Sequence, residues 1–149
     1  MLELGRPLPA LSVIEKDGRR TDIDVIRAGR PAAVFFMRAH NCMVCLHHVR
    51  ALREMHDVLG DHKVVPVVVV PGSPGDAARV RRRADGLEVV SSDGDAAHRA
   101  VDLERRLLVQ HSGTFLVDAG GILRYARTGA LPTASFHRGE LEAALARLP

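Results

Sequence analysis

The chain has 149 residues, of which 46% are apolar and 26% charged, a composition that excludes a disordered or fibrous protein and fits one domain over residues 1–149. No apolar stretch approaches the roughly 20 residues needed to span a bilayer, and the N-terminus lacks the basic start and long apolar segment of a signal peptide; a cytoplasmic protein without a membrane segment is expected. Lys and Arg together number 21 against 18 Asp and Glu. The run Arg79, Arg81, Arg82, Arg83 has the guanidinium chemistry for phosphate, but one Tyr, four Phe and no Trp supply few stacking surfaces. A solvated helix face is expected there, with no nucleic-acid partner.

No repeat, low-complexity tract or long linker is visible. The prolines of the opening Gly5-Arg-Pro-Leu-Pro segment favour extended backbone. Asp17-Gly18 marks a turn between short strands at Leu11–Ile14 and Thr21–Ile23. The continuous apolar run Ala32–Met37 predicts a strand buried on both faces, the signature of a parallel sheet covered by helices. From Cys45, the apolar residues Val49, Leu52, Met55 and Leu59 recur every three or four positions. That spacing predicts a helix over Val44–Leu59, with Gly60 placed to stop it.

A second buried strand at Val64–Val70 leads into the loop Pro71-Gly-Ser-Pro-Gly75, a helix at Asp76–Ala84 and a third strand at Leu87–Val90. Asp95 is a candidate N-cap for a helix over Ala96–Val101. Gly113–Asp118, the turn at Ala119-Gly-Gly121 and Ile122–Ala126 predict a β-hairpin in which a bulge is allowed. An amphipathic helix from Ser135 or Arg138 to Leu148 closes the chain, with Leu141, Ala144, Leu145 and Leu148 inward. Alternating strands and helices followed by a hairpin imply an α/β fold, a central mixed sheet with helices on both faces.

Cys42 and Cys45 are the only cysteines. As Cys-x-x-Cys they stand between a buried strand and a helix start, where unpaired N–H groups and the positive end of the helix dipole favour a thiolate. Arg38 and His40 stand close enough in sequence to add positive charge. Such settings bring a thiol pKa from about 8.5 towards neutrality or below. A thiolate attacks a peroxide or a disulfide, and a second cysteine one turn away resolves the product as a disulfide. Two other readings use the same residues. Free cysteines also serve as small buried hydrophobes. Alternatively, Cys42, Cys45 and the flanking His40, His47 and His48 form a Cys/His metal-binding module, although His47 follows too closely on one helix for an easy tetrahedron. Of the remaining histidines, His56, His62, His98 and His137 read as surface residues. His111, just before the Gly113 strand, is a candidate neighbour of the thiols.

These residues resemble the thioredoxin-like redoxins of the peroxiredoxin and alkyl hydroperoxide reductase type. Val34-Phe-Phe-Met37 with Cys42–Cys45 resembles the active-site strand and helix, and Val64–Val70 the next core strand. The segment from Val89 to Ala100 and the hairpin Gly113–Arg124 look like the family's closing elements. The resemblance implies a thioredoxin-like fold and a Cys42–Cys45 dithiol/disulfide cycle that reduces hydroperoxides without a cofactor or metal. It also implies a thiol reductant, such as a thioredoxin or a low-molecular-weight thiol, and a monomer or homodimer. A thiol-disulfide oxidoreductase acting on protein or small disulfides is the alternative.

The chain departs from the family pattern in three ways. The peroxiredoxin motif, Pro followed by Thr and then the peroxidatic cysteine, falls on Arg38, Cys42 and Cys45. The thioredoxin motif instead makes Cys42 the nucleophile and Cys45 its resolver, and Cys42 is expected to attack first as the more accessible of the two. Ser112 stands where thioredoxins carry a cis-proline and peroxiredoxins an arginine, which leaves Arg38 as a candidate replacement cation.

Overall fold

In the computed structural model, which describes residues 2–106 and 109–149, the chain begins with a short hairpin of β1 (Ser12–Ile14) and β2 (Arg20–Asp22). There follow α1 (Ile23–Arg27), β3 (Ala32–Phe36), α2 (Met43–Glu54), α3 (His56–Asp61), β4 (Val65–Val70) and α4 (Pro74–Arg81). Then come β5 (Glu88–Ser91), α5 (Ala96–Ala100), and the two-residue strands β6 (Arg105–Arg106) and β7 (Val109–Gln110). The hairpin of β8 (Ser112–Val117) and β9 (Leu123–Gly129), a 3-10 turn at Pro132–Ala134 and α6 (Arg138–Ala146) complete the order.

The most apolar strands occupy the middle of a seven-stranded sheet ordered β2-β1-β5-β4-β3-β8-β9. β3, β4 and β5 run parallel, with Val34 opposite Val67 and Val68 opposite Val89. β8 lies antiparallel to β3, placing Phe36 opposite Gly113, and β9 lies antiparallel to β8. The sheet is therefore mixed. Residues of β3 alternate between its faces: Ala33 and Phe35 pack with α2, α3, α4 and α6, while Val34 and Phe36 pack with α1 and α5. Helices cover both faces, as expected. Full burial of a side chain such as Phe35 or Leu52 contributes about 1.5–3 kcal/mol to holding these layers together.

Several boundaries differ from expectation for local reasons. Asp22 ends β2 by accepting a hydrogen bond from the Asp24 N–H, so Ile23 opens a helix instead of extending the strand. The long helix is interrupted at Met55, and Gly60 lies inside α3 rather than stopping it. The chain leaves the helical path at Lys63, which adopts a left-handed φ of 58°. Asp95 occupies the N-cap position of α5, but its side chain caps no backbone N–H; Ser92 Oγ caps instead, accepting from the N–H groups of Ala97 and His98 at 3.0 and 3.2 Å. The closing hairpin carries the allowed bulge, between Leu116 and Val117. Of the arginine run, Arg79, Arg82 and Arg83 are exposed, but Arg81 is half-buried and donates to the Val89 carbonyl at 2.6 Å.

Candidate active site

β3 ends at the sheet's centre, and the chain turns through residues 38–41 into α2. Parallel strands leave a crevice at their C-terminal ends, where two loops meet beside this turn. Gly72, after β4, and Gly94, after β5, exchange backbone hydrogen bonds of 2.7 and 2.9 Å. Both have positive φ, and a Cβ on Gly72 would collide with the Asp76 carboxylate. Ser73 and Asp76 form a capping box with Pro74 at the start of α4, which fixes the loop. The resulting cleft of about 510 Å³ is lined by Arg38, His40, Asp76, Asp95, Arg105 and Gln110, among others.

Cys42 is the N-cap of α2, and its Sγ accepts the Cys45 backbone N–H at 3.4 Å. Cys45 lies one turn on, and its Sγ accepts the Arg38 backbone N–H at 3.3 Å. Both thiols are free. Cys42 retains 6% of its surface and Cys45 none. Burial opposes ionisation of Cys42, but it is outweighed by hydrogen bonds from the Cys45 thiol, the Cys45 N–H and the Arg38 guanidinium, together with the Arg38 charge. The Cys42 thiol is therefore more acidic than a free one. Burial pushes the Cys45 thiol up to about 12, and the neighbouring Cys42 charge adds to the effect. The pair thus comprises a more acidic thiol on a residue that keeps a sliver of exposed surface and a less acidic thiol that is fully enclosed.

The other candidates divide. Arg38 joins the cysteines through both its backbone and its guanidinium, and its Nε is buried without a hydrogen-bond partner. His40 lines the cleft but faces α4: its Nδ1 lies 3.5 Å from Asp76 and its Nε2 3.4 Å from Arg79. Arg38, and not His40, is therefore the cation acting on Cys42. His111 is half-buried at the β7–β8 junction, where its backbone bonds to Glu104 and Gln110; its ring has no hydrogen bond to either cysteine. Ser112 is fully buried at the start of β8, and its hydroxyl is unpartnered. It shares the sheet face of Leu116, which packs in the same cluster as both cysteines.

Two histidines depart from the sequence reading. His48 is buried, stacked on Phe136 at 5.2 Å and edge-on to Phe35, with Nε2 donating to the Pro132 carbonyl at 2.8 Å. Burial within the aromatic cluster lowers its pKa. His47 is exposed. The histidines flanking the cysteines therefore point to different places, and among the described residues no three His, Cys, Asp or Glu side chains gather as metal ligands. The metal-binding alternative has no donor set there. His98, expected at the surface, is completely buried and bonds to Ser92 Oγ at 2.9 Å and to the Met37 carbonyl at 2.8 Å. Its short, polar-looking helix carried no sign of this; Ser92, directly after the β5 run, was the one available hint. Of the other histidines, His56 is exposed, His62 is half-buried, and His137 caps α6 by accepting from the Glu140 N–H.

Comparison with known proteins places this arrangement. No curated protein matches the sequence. Solved structures match over nearly the whole chain. A peroxidoxin BcpB from Mycobacterium tuberculosis superposes with a TM-score of 0.82 at 15% identity, covering 98% of this chain and 96% of that one. A peroxiredoxin-like protein from Aquifex aeolicus gives 0.82 at 16% identity, over 99% of this chain and 88% of its own. The bacterioferritin comigratory protein of Xanthomonas campestris gives 0.79 at 15% identity, over 97% and 98%. These likenesses establish the thioredoxin-like fold of the peroxiredoxins. The family model described as AhpC/TSA matches residues 4–126, a span that includes the cysteine motif, the parallel strands and most of the closing hairpin. By that match, the chain belongs to the AhpC/TSA family.

Proposed function

We propose that this AhpC/TSA protein is a thiol-dependent peroxidase in which Cys42 attacks the hydroperoxide and Cys45 resolves the product. The Cys42 thiolate takes the terminal oxygen of ROOH; the O–O bond breaks, a proton is taken up and ROH leaves, giving Cys42–SOH. The Cys45 sulfur then displaces hydroxide, which leaves as water with the Cys45 proton, and a Cys42–Cys45 disulfide forms. Two electrons from an external thiol, a thioredoxin or a low-molecular-weight thiol, restore the dithiol. A reducing cytoplasm would supply that thiol, to a monomer or a homodimer alike.

The observation that carries this assignment is the inequality of the two thiols: Cys42 is more acidic than a free thiol and keeps 6% of its surface, whereas Cys45 is fully enclosed and its pKa is raised. Arg38 supplies the cation beside the nucleophile, and the cleft that it lines gives a small oxidant an approach to that cation. Among the described residues no helix is long and apolar enough to cross a membrane.

The test is hydroperoxide consumption under one thiol reductant by the wild type, Cys42→Ser and Cys45→Ser. Cys42→Ser is expected to abolish turnover. Cys45→Ser is expected to retain one stoichiometric oxidation and lose most recycling. Undiminished turnover in Cys42→Ser ends the assignment. A model disulfide under the same reductant discriminates the alternative activity: the peroxidase reading requires the hydroperoxide to be consumed much faster.

A further inference from the structure

The Met37–Arg38 peptide joins the end of β3 to the cysteine turn, and each of its two polar ends is engaged. Its N–H donates to Cys45 Sγ at 3.3 Å, while its carbonyl accepts from His98 Nε2 at 2.8 Å. His98 reaches that carbonyl from α5, on the opposite face of the sheet from α2. Its tautomer follows from its other partner. Ser92 Oγ already accepts the Ala97 and His98 N–H groups, so its own proton is free to go to His98 Nδ1 at 2.9 Å. Nε2 must then carry the ring proton and donate to Met37. The ring is completely buried and edge-on to Phe36, with ring centroids 5.0 Å apart, so its orientation is fixed. Burial also keeps it neutral, with its pKa lowered to about 4.

A donor on the carbonyl of an amide draws electron density toward oxygen and strengthens the N–H on the other side of the same peptide. We propose that His98 is a positioning residue for the resolving step: it aims and polarises the Met37–Arg38 peptide, so that the Arg38 N–H stabilises the negative charge developing on Cys45 as that thiol gives up its proton. This inference rests on the proposed order in which Cys42 attacks and Cys45 resolves. It assigns a role in that order to a residue on the far side of the sheet.

The experiment separates the two chemical steps. The purified full chain is reduced and mixed rapidly with one equivalent of hydroperoxide. Sulfenate formation at Cys42 is followed by peroxide loss, and disulfide formation by timed thiol trapping with mass spectrometry. Two amide variants keep a polar group in the buried site. His98→Asn places its amide where Nδ1 meets Ser92 but falls short of Met37; His98→Gln places an N–H at the Nε2 position. The prediction is that His98→Asn slows disulfide formation about three- to five-fold relative to sulfenate formation, the effect of roughly one weakened hydrogen bond. His98→Gln should restore most of the ratio. An unchanged ratio in both variants, or an equal loss in both, overturns the role given to His98. A purely structural role would slow the two steps together. Failure of the wild type to consume peroxide would instead overturn the peroxidase reading itself.

Discussion

Replacing Arg38 by Met removes the cation that acts on Cys42 while leaving the backbone N–H that serves Cys45. A hydrogen bond to a charged group contributes about 1.5–3 kcal/mol, and solvent does little to screen this one because Cys42 is 6% exposed. Losing an interaction that favours only the thiolate should raise the Cys42 pKa, and about 1.36 kcal/mol corresponds to a tenfold change in the thiolate/thiol ratio. The thiolate fraction below the pKa then falls about 10- to 100-fold. A more basic thiolate is a better nucleophile, with a Brønsted slope of about 0.4–0.5, which returns nearly half of that loss on a logarithmic scale. The net expectation is a peroxide reaction slower by about 3- to 15-fold at a pH below both pKa values. The assay is the pH dependence of alkylation at Cys42 in the Cys45→Ser background, where the serine hydroxyl preserves the donor, alongside the single-turnover rate with peroxide. Arg38→Lys should recover part of both. An alkylation profile identical with and without Arg38 would refute the electrostatic account of Cys42.

Other consequences concern stability and trapping. Ser112→Ala removes a buried, unpartnered hydroxyl and should stabilise the fold by about 1 kcal/mol in urea unfolding; a loss of that size would show that the hydroxyl is satisfied. His98 has a folded pKa of about 4 against 6.5 when unfolded, so the unfolded chain takes up the proton first as pH falls. Stability should be intact above pH 6.5 and decline by about 3 kcal/mol between pH 6.5 and 4, a decline absent from His98→Gln. For Cys45 the sign is reversed. Its folded pKa is raised from 9.0 to about 12, so the reduced wild type should lose stability between pH 9 and 12 relative to Cys45→Ser. Cys45→Ser should also accumulate Cys42 sulfenic acid, detected as a dimedone adduct, and pass on to sulfinic acid under excess peroxide. Gly72→Ala, strained by a φ of +99° and by contact with Asp76, should cost about 1–3 kcal/mol in thermal unfolding.

Local pattern carried most of the architecture. The runs Ala32–Met37 and Val64–Val70 are too apolar for strands with a wet face, and both prove to be central parallel strands. The three-to-four spacing after Cys45 located the covering helix and placed Cys42 at its N-terminus. Where long-range partners decide, the sequence was silent or misleading. Gly60 reads as a helix stop, but the helix breaks at Met55 and restarts as α3, which ends at Asp61, just before the left-handed Lys63. His40 stands next to the motif yet turns to Asp76 and Arg79, on an element 36 residues or more away. His98 looked solvated because α5 is short and rich in alanine and polar groups. Its burial depends on Met37, 61 positions earlier, and no local pattern encodes that. Arg38 was legible by adjacency alone, because a strand end and a helix start leave few places for the side chain between them.

The central claim is that two sulfurs of unequal acidity exchange an oxidising equivalent within a single chain. Peptide mapping by mass spectrometry, after reduced protein has met one equivalent of hydroperoxide, tests it most directly. The account predicts an intramolecular Cys42–Cys45 bridge, two hydrogens lighter than the dithiol, formed as the peroxide is consumed. Two intact thiols beside unconsumed peroxide would contradict it.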